Sequence, residues 1–169
     1  MMENRPDWCL SRQRVWGVPI PIFYCKATGE PLADYDAMMN VAETMEKESG
    51  IDSYYAHPPE FFLGDIKKFV KGEFGSQGFR HGKDILDVWF DSGICHKAVQ
   101  AKTKGMEIPA DIYLEGSDQH RGWFNTSLLS SIVTNGKAPY KALVTHGFVM
   151  DGEGKKMSKS KGNTIDPNE

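Results

Sequence analysis

A chain of 169 residues with 40% hydrophobic composition has material for one ordinary core and requires no second complete domain. No apolar run approaches the ~20 residues of a membrane helix. The amino end, MMENRPDW, has neither the basic nor the apolar region of a signal peptide, so a cytoplasmic protein with no membrane partner is expected. A formal net charge of -3 gives no global pull on a polyanion, which leaves local cationic clusters near Arg12 and near Lys156 to make any such contact.

Along the chain, the run from Arg5 to Cys25 mixes aromatic and basic residues and then breaks on Pro19 and Pro21, which exclude a helix. Ile20, Ile22 and Tyr24 alternate as in an edge strand, where proline is tolerated. Arg12 and Arg14 read either as solvated charges beside Trp8 and Trp16 or as contacts to a phosphate backbone. Lys26 to Leu32 reads as a turn. Asp34 to Gly50 reads as a helix with Met38, Val41, Ala42 and Met45 on its packing face. The proline- and glycine-rich stretch from His57 to Gly82 reads as an irregular insertion. Cys9, Cys25 and Cys95 are widely spaced and form no CxxC pair, so free thiols are expected, with no disulfide framework and no protein-bound zinc.

Asp84 to Gly93, DILDVWFDSG, is apolar enough to be read as a strand entering the core of a sheet and ending in a turn. Trp89 is then either plain core or one wall of an apolar pocket. Ile112, Tyr113 and Leu114 form the next buried strand, and Gly116 permits a sharp turn after it. Ser117 or Asp118 caps a helix that carries Phe124, Leu128 and Ile132, widened by Leu129 and Val133 and stopped by Gly136. A turn at a strand's carboxyl end is where open α/β sheets bind ligands, which makes Glu115, Gly116, Asp118 and Gln119 binding candidates. Lys141 to Met150 predicts a second buried strand, parallel to the first across the helical crossover, with His146 near its far end. Asp151 to Asn163, DGEGKKMSKSKGN, then concentrates lysines on a glycine-loosened loop. Such a loop brings ammonium groups onto charge that develops on transferring phosphates.

Four segments occur in one order: WCLSRQRVWGVPIP from Trp8, LDVWFDSG from Leu86, YLEGSDQHRGWF from Tyr113, and Lys156 to Ser160, which spell KMSKS. Together they resemble class I aminoacyl-tRNA synthetases and, through the GSDQHRGWF segment, the isoleucine members of that class. The resemblance covers nearly the whole chain and is weakest from Lys26 to Lys83. It implies an α/β fold, the second half of a Rossmann-like nucleotide-binding catalytic domain with parallel strands and a small irregular insertion. On that reading residues 1–25 enter the catalytic domain, 26–83 are a connective insertion, and 84–169 carry the GSDQ and KMSKS motifs.

The implied reaction joins isoleucine to ATP, which arrives with Mg2+ held mainly by phosphate oxygens, and then moves the aminoacyl group to the isoleucine tRNA. Carried over by motif, Glu115 contacts the adenylate, with Gly116, Asp118 and Gln119 around ribose and substrate. Trp89 and Trp123 border the isoleucine side chain, and His146 faces the nucleotide. Lys156 and Lys159 clamp the phosphates, aided by Ser158. No HIGH-type motif, editing domain or anticodon-binding region is present in the sequence. The expectation is therefore a fragment that is inactive until the amino-terminal half of the catalytic domain is supplied. The alternative is a free-standing nucleotide or tRNA-acceptor binding module. Ile94 and Cys95, after DSG, are more apolar than the resemblance leads one to expect.

Overall fold

The computed structural model describes residues 6–48, 50–166 and 168. The elements in chain order are β1 (Ser11–Arg12), β2 (Phe23–Cys25), β3 (Pro31–Leu32), α1 (Tyr35–Lys47), α2 (Ser53–Ala56), α3 (Pro59–Leu63), β4 (Phe79–His81), β5 (Ile85–Leu86), α4 (Val88–Gly93), α5 (Cys95–Ala98), β6 (Ala110–Gly116), α6 (Trp123–Asn135) and β7 (Tyr140–His146), with short 3-10 turns between some of them. They fall into two compact units, Met1–Val88 and Trp89–Glu169.

The first unit is built on an antiparallel sheet of order β3-β2-β4. β2 is central, which differs from the edge strand read from Ile20, Ile22 and Tyr24. Both prolines precede the ladder, so neither removes a donor from it. The core joins Phe23 and Cys25 of β2 to Ala37 and Val41 of α1, Tyr54 of α2, Phe62 and Leu63 of α3, and Phe79 of β4. Asp34 starts α1 by accepting the Ala37 N–H at 3.0 Å. Val41 and Met45 of the predicted face pack as expected, whereas Ala42 is exposed. The proline- and glycine-rich stretch thus supplies much of this core. His81 and Phe62 of that stretch pack on rings from outside it, with centroids 4.7 Å apart for Tyr54 and His81 and 6.0 Å apart for Phe23 and Phe62.

Arg12 has a structural partner. Its guanidinium lies 2.8 Å from the buried Asp87 carboxylate, which also accepts from the Trp8 indole at 2.9 Å, and it donates to the Cys9 and Ser11 carbonyls. Arg14 instead lines a surface cavity with Val15, Trp16, Tyr55 and Lys83.

The strand predicted over 84–93 lasts only two residues, β5, and from Val88 the chain is helical. A short apolar run does not by itself distinguish strand from helix, and Val88 and Trp89 are exposed rather than buried. In the second unit β6 and β7 pair in parallel as predicted, with Tyr113 opposite Leu143 and Gly116 opposite His146. Tyr113 is buried, but Ile112 and Leu114 are 57% and 58% exposed and β7 is largely open.

Helix α6 shows a second reversal. Its buried face is Phe124, Thr126, Ser127, Ser130 and Ser131, while Ile132 and Val133 face outward. The small polar side chains let α4 and α5 approach closely. A Cβ on Gly93 would lie 3.0 Å from the Thr126 backbone, and Ser130 Oγ donates to the Gly93 carbonyl at 2.9 Å. Gly136, at φ 69°, closes the helix as predicted. No helix among the described residues is long and apolar enough to cross a membrane.

Candidate active site

The parallel pairing makes β6 and β7 end level, with Glu115 opposite Thr145 and Gly116 opposite His146. Gly116 has φ -63° and ψ 155°, a conformation open to any residue, so the sharp-turn argument for glycine there does not hold. What the position needs is space. A Cβ would stand 2.6 Å from Asp118 Oδ1 and 3.9 Å from His146 Cε1. Glycine therefore allows the Asp118 carboxylate to fold back over the end of the strand.

From that carboxylate a chain of contacts runs to the helix. Gln119 Nε2 donates to Asp118 Oδ2 at 3.1 Å, and Gln119 Oε1 accepts the Trp123 N–H at 2.9 Å. Neither Ser117 nor Asp118 caps α6, contrary to expectation. A 3-10 turn over Ser117–His120 intervenes, and the Gln119 amide satisfies the first-turn donor instead.

Gly122, at the start of α6, is again a matter of space. A Cβ there would lie 2.6 Å from Gln119 Oε1 and 3.1 Å from the ring of Trp89. Trp123 stacks on Tyr113 with centroids 4.2 Å apart and planes 6° apart, and its indole N–H donates to the Ser92 carbonyl at 3.0 Å. Such a stack contributes about 0.5 to 1.5 kcal/mol beyond area burial. Trp89, Gln119 and Trp123 are thus gathered at one glycine corner, two steps along the same chain of contacts from Gly116.

His146 is exposed, and its Nδ1 donates to the Gly147 carbonyl at 2.7 Å, which orients the ring. Phe148 follows two residues later, at most about 7 Å of chain away. The Lys156 ammonium sits 3.4 Å from the centroid of the Phe148 ring. The lysine loop returns on β7's continuation through an antiparallel Met150–Lys156 bridge, with the Met157 N–H donating to the Val149 carbonyl at 3.0 Å. Lys155 is ion-paired to Glu153 at 2.6 Å, and Lys159 opens a 3-10 turn that ends at Gly162. Ser158 Oγ lies 3.3 Å from Ser160 Oγ.

The structure therefore brings Glu115, Gly116, Asp118, Gln119, His146, Trp89 and Trp123 to one end of the parallel pair. The loop bearing Lys156, Ser158 and Lys159 is tethered to Phe148, Val149 and Met150, two to four residues beyond that end. Among the described residues no three His, Cys, Asp or Glu side chains gather as a metal cage.

The family model for class I tRNA synthetases of the I, L, M and V group matches residues 1–169. The chain belongs to that family. It is 53% identical over 169 residues to the isoleucine–tRNA ligase of Caldanaerobacter subterraneus subsp. tengcongensis, covering all of this chain and 18% of that protein. It is 52% identical over 167 residues to the isoleucine–tRNA ligase of Pelagibacter ubique, covering 99% of this chain and again 18% of the relative.

Among solved structures, the LeuRS in the ternary complex of Agrobacterium radiobacter K84 agnB2 LeuRS with tRNA and LeuAMS superposes with a TM-score of 0.60. It is 23% identical and covers 95% of this chain and 22% of that one. This likeness places the fold of the chain with the Rossmann-like catalytic domain of class I synthetases. The chain spans about a fifth of the length of the relatives it matches.

Residue chemistry alone did not single out two synthetase-loop residues, Asp151 and Asn163, whose side chains hold the KMSKS backbone. The available signals were the Asp–Gly and Gly–Asn pairs that bracket the loop, which read only as turns.

Proposed function

We propose that this chain is the part of an isoleucine–tRNA ligase that forms the adenylate-binding wall and the phosphate clamp. The observation that carries the reading is the level ending of β6 and β7. It sets Glu115 and Gly116 beside Thr145 and His146, and the segment carrying Lys156–Ser160 folds back onto Val149 and Met150, three and four residues past the end of β7.

In the first step an oxygen of the isoleucine carboxylate bonds to the α-phosphorus of ATP while the bond to the bridging β-phosphate oxygen breaks, releasing pyrophosphate. Negative charge grows on the departing oxygens. Lys156 and Lys159, with the Ser158 hydroxyl, neutralise that charge more in the transition state than before it. Lys156 must leave the Phe148 face to do so, a movement of a flexible side chain on a glycine-flanked loop.

Glu115 binds the adenylate, and Gly116, Asp118 and Gln119 surround ribose and substrate, with His146 facing the nucleotide. Trp89 and Trp123 flank the isoleucine side chain, Trp123 held rigid by its stack on Tyr113. Magnesium enters with ATP as part of the substrate. In the second step a ribose hydroxyl of the terminal adenosine of the isoleucine tRNA attacks the activated carbonyl and AMP leaves. Two further protein parts complete the reaction on this reading: the amino-terminal half of the catalytic domain, and an editing activity. The latter is needed because one methylene is worth only about 1 to 3 kcal/mol of discrimination against valine.

The test is isoleucine-dependent ATP–pyrophosphate exchange in the full-length Caldanaerobacter relative carrying this chain in place of its own 169-residue counterpart. Exchange with isoleucine, lost on K156A/K159A, is expected. Exchange that prefers leucine or methionine, or that survives loss of both lysines, refutes the proposal.

A further inference from the structure

We propose that Asp151 and Asn163 are positioning residues: a side-chain clasp that fixes the backbone from which Lys156 and Lys159 project. The proposal rests on the phosphate-clamp reading of that loop. Asp151 Oδ1 accepts the Glu153 N–H at 3.0 Å and the Lys155 N–H at 2.8 Å, and Asp151 Oδ2 accepts Asn163 Nδ2 at 2.7 Å. Asn163 then reaches both sides of Met157. Its Nδ2 also donates to the Lys156 carbonyl at 3.2 Å, and its Oδ1 accepts the Ser158 N–H at 3.0 Å. Donating to one carbonyl and accepting from the N–H two residues on is how a strand residue engages its neighbour. The Asn163 amide thus stands in for a missing strand on that edge.

The other edge of the same three residues is held by Val149 and Met150, through the Met157 N–H and the Met150–Lys156 bridge. Lys156 therefore springs from a pedestal secured on both sides, in a segment whose glycines would otherwise leave it loose. Lys159 starts the 3-10 turn that Gly162, at φ 65°, folds back to Asn163. One amide therefore sets the spacing between the two ammonium groups. The orientation of that amide follows from its partners, because reversing it would set Nδ2 against the Ser158 N–H and Oδ1 against two acceptors.

Neither residue needs to touch a phosphate for this role. All of its contacts are to backbone or to the other member of the pair. If the clasp serves the transition state, its loss lowers kcat and leaves the KM for ATP nearly unchanged. Reciprocal exchange offers a rescue. In D151N/N163D an amide at 151 still accepts the two N–H groups and now donates across to the carboxylate at 163. That carboxylate keeps the Ser158 N–H but loses the bond to the Lys156 carbonyl and sets an oxygen against it, so the rescue is partial.

Two measurements test the proposal. In the isolated chain, trypsin cleavage after Lys155 and Lys156 is timed for the wild type, N163A and D151N, alongside thermal melting. In the full-length Caldanaerobacter graft, isoleucine-dependent exchange is measured for N163A, D151N, D151N/N163D and K156A/K159A.

The expected result is faster loop cleavage at unchanged melting temperature for both single variants, and a roughly ten- to hundredfold fall in kcat for N163A. The KM for ATP stays within about threefold, and the double exchange recovers part of the loss. Unchanged loop cleavage, or an unchanged kcat in N163A while K156A/K159A abolishes exchange, overturns the clasp and leaves the phosphate-clamp reading intact. Full exchange by K156A/K159A overturns both.

Discussion

Gly116→Ala separates folding from chemistry. At φ -63° and ψ 155° alanine is unstrained, and replacing glycine reduces the freedom of the unfolded chain, an effect of about 0.4 to 1 kcal/mol in favour of the fold. The His146 ring at 3.9 Å is in ordinary contact. Asp118 bears the whole burden. Its Oδ1 would be 2.6 Å from the new Cβ, an ordinary carbon–oxygen contact is about 3.3 Å, and the carboxylate must therefore retreat by roughly 0.7 Å. Because Asp118 Oδ2 is bonded to Gln119, and Gln119 to the Trp123 N–H, the shift propagates through the polar corner rather than being absorbed at one side chain. Misplacement on that scale at a binding site costs on the order of a hundredfold in rate. The expected outcome is an unchanged or slightly raised melting temperature for the chain, with isoleucine-dependent exchange in the full-length graft lowered by about two orders of magnitude. A variant that melts several degrees lower, or one that exchanges at the parent rate, refutes the claim that glycine is there to admit the Asp118 carboxylate.

Two further outcomes are expected. Ile112→Asp, at a position more than half exposed, should leave melting of the isolated chain within about 0.5 kcal/mol of the parent. The expectation that the outer face of β6 packs in the whole protein predicts that the same change collapses the soluble yield of the full-length graft, because an unpaired buried carboxylate is costly; equal behaviour in both settings removes that idea. The second concerns pH. Burial pushes the His81 imidazole below its ordinary value, against the smaller opposing effects of the His57 carbonyl and Glu60. Its Nε2 donates to the His57 carbonyl at 3.0 Å, and its buried Nδ1 has no hydrogen-bond partner among the described residues, so an N–H formed there on protonation would lack an acceptor. The unfolded chain therefore binds the proton first. Stability is complete above about pH 6.5 and falls as the pH drops below it, levelling once the folded-state value is passed. Urea midpoints at pH 7.5 and 5.5 should differ, and the difference should shrink in His81→Gln; equal slopes for the two proteins would remove His81 as the cause.

The parts of the site that could be read from residues are those set by neighbours in sequence. The β6–α6–β7 order, its parallel sense, and the placing of His146 near the same end as Gly116 follow from two apolar runs separated by a helical length, whereas the register that pairs the two does not. The reading faltered where a residue answers to something distant. Gly116 and Gly122 are explained by the side chains that crowd them, Asp118 in one case and Gln119 with Trp89 in the other, and no local pattern encodes those approaches.

Helix α6 shows the same limit from the opposite side. Hydrophobic periodicity selected Phe124, which is buried, together with Ile132 and Val133, which are not; apart from Phe124 the buried stripe is serine and threonine, because the neighbouring α4 and α5 come close enough to exclude larger groups. The apolar residues that the pattern identified are not thereby misread. Ile112, Leu114, Ile132 and Val133 have the composition of a packed face and lie exposed in a chain that spans about a fifth of its relatives' length. Periodicity reports what a sequence is composed to bury in its complete setting, whereas solvent exposure reports what this segment buries by itself. The difference between them marks the surface on which the Ile112→Asp comparison acts.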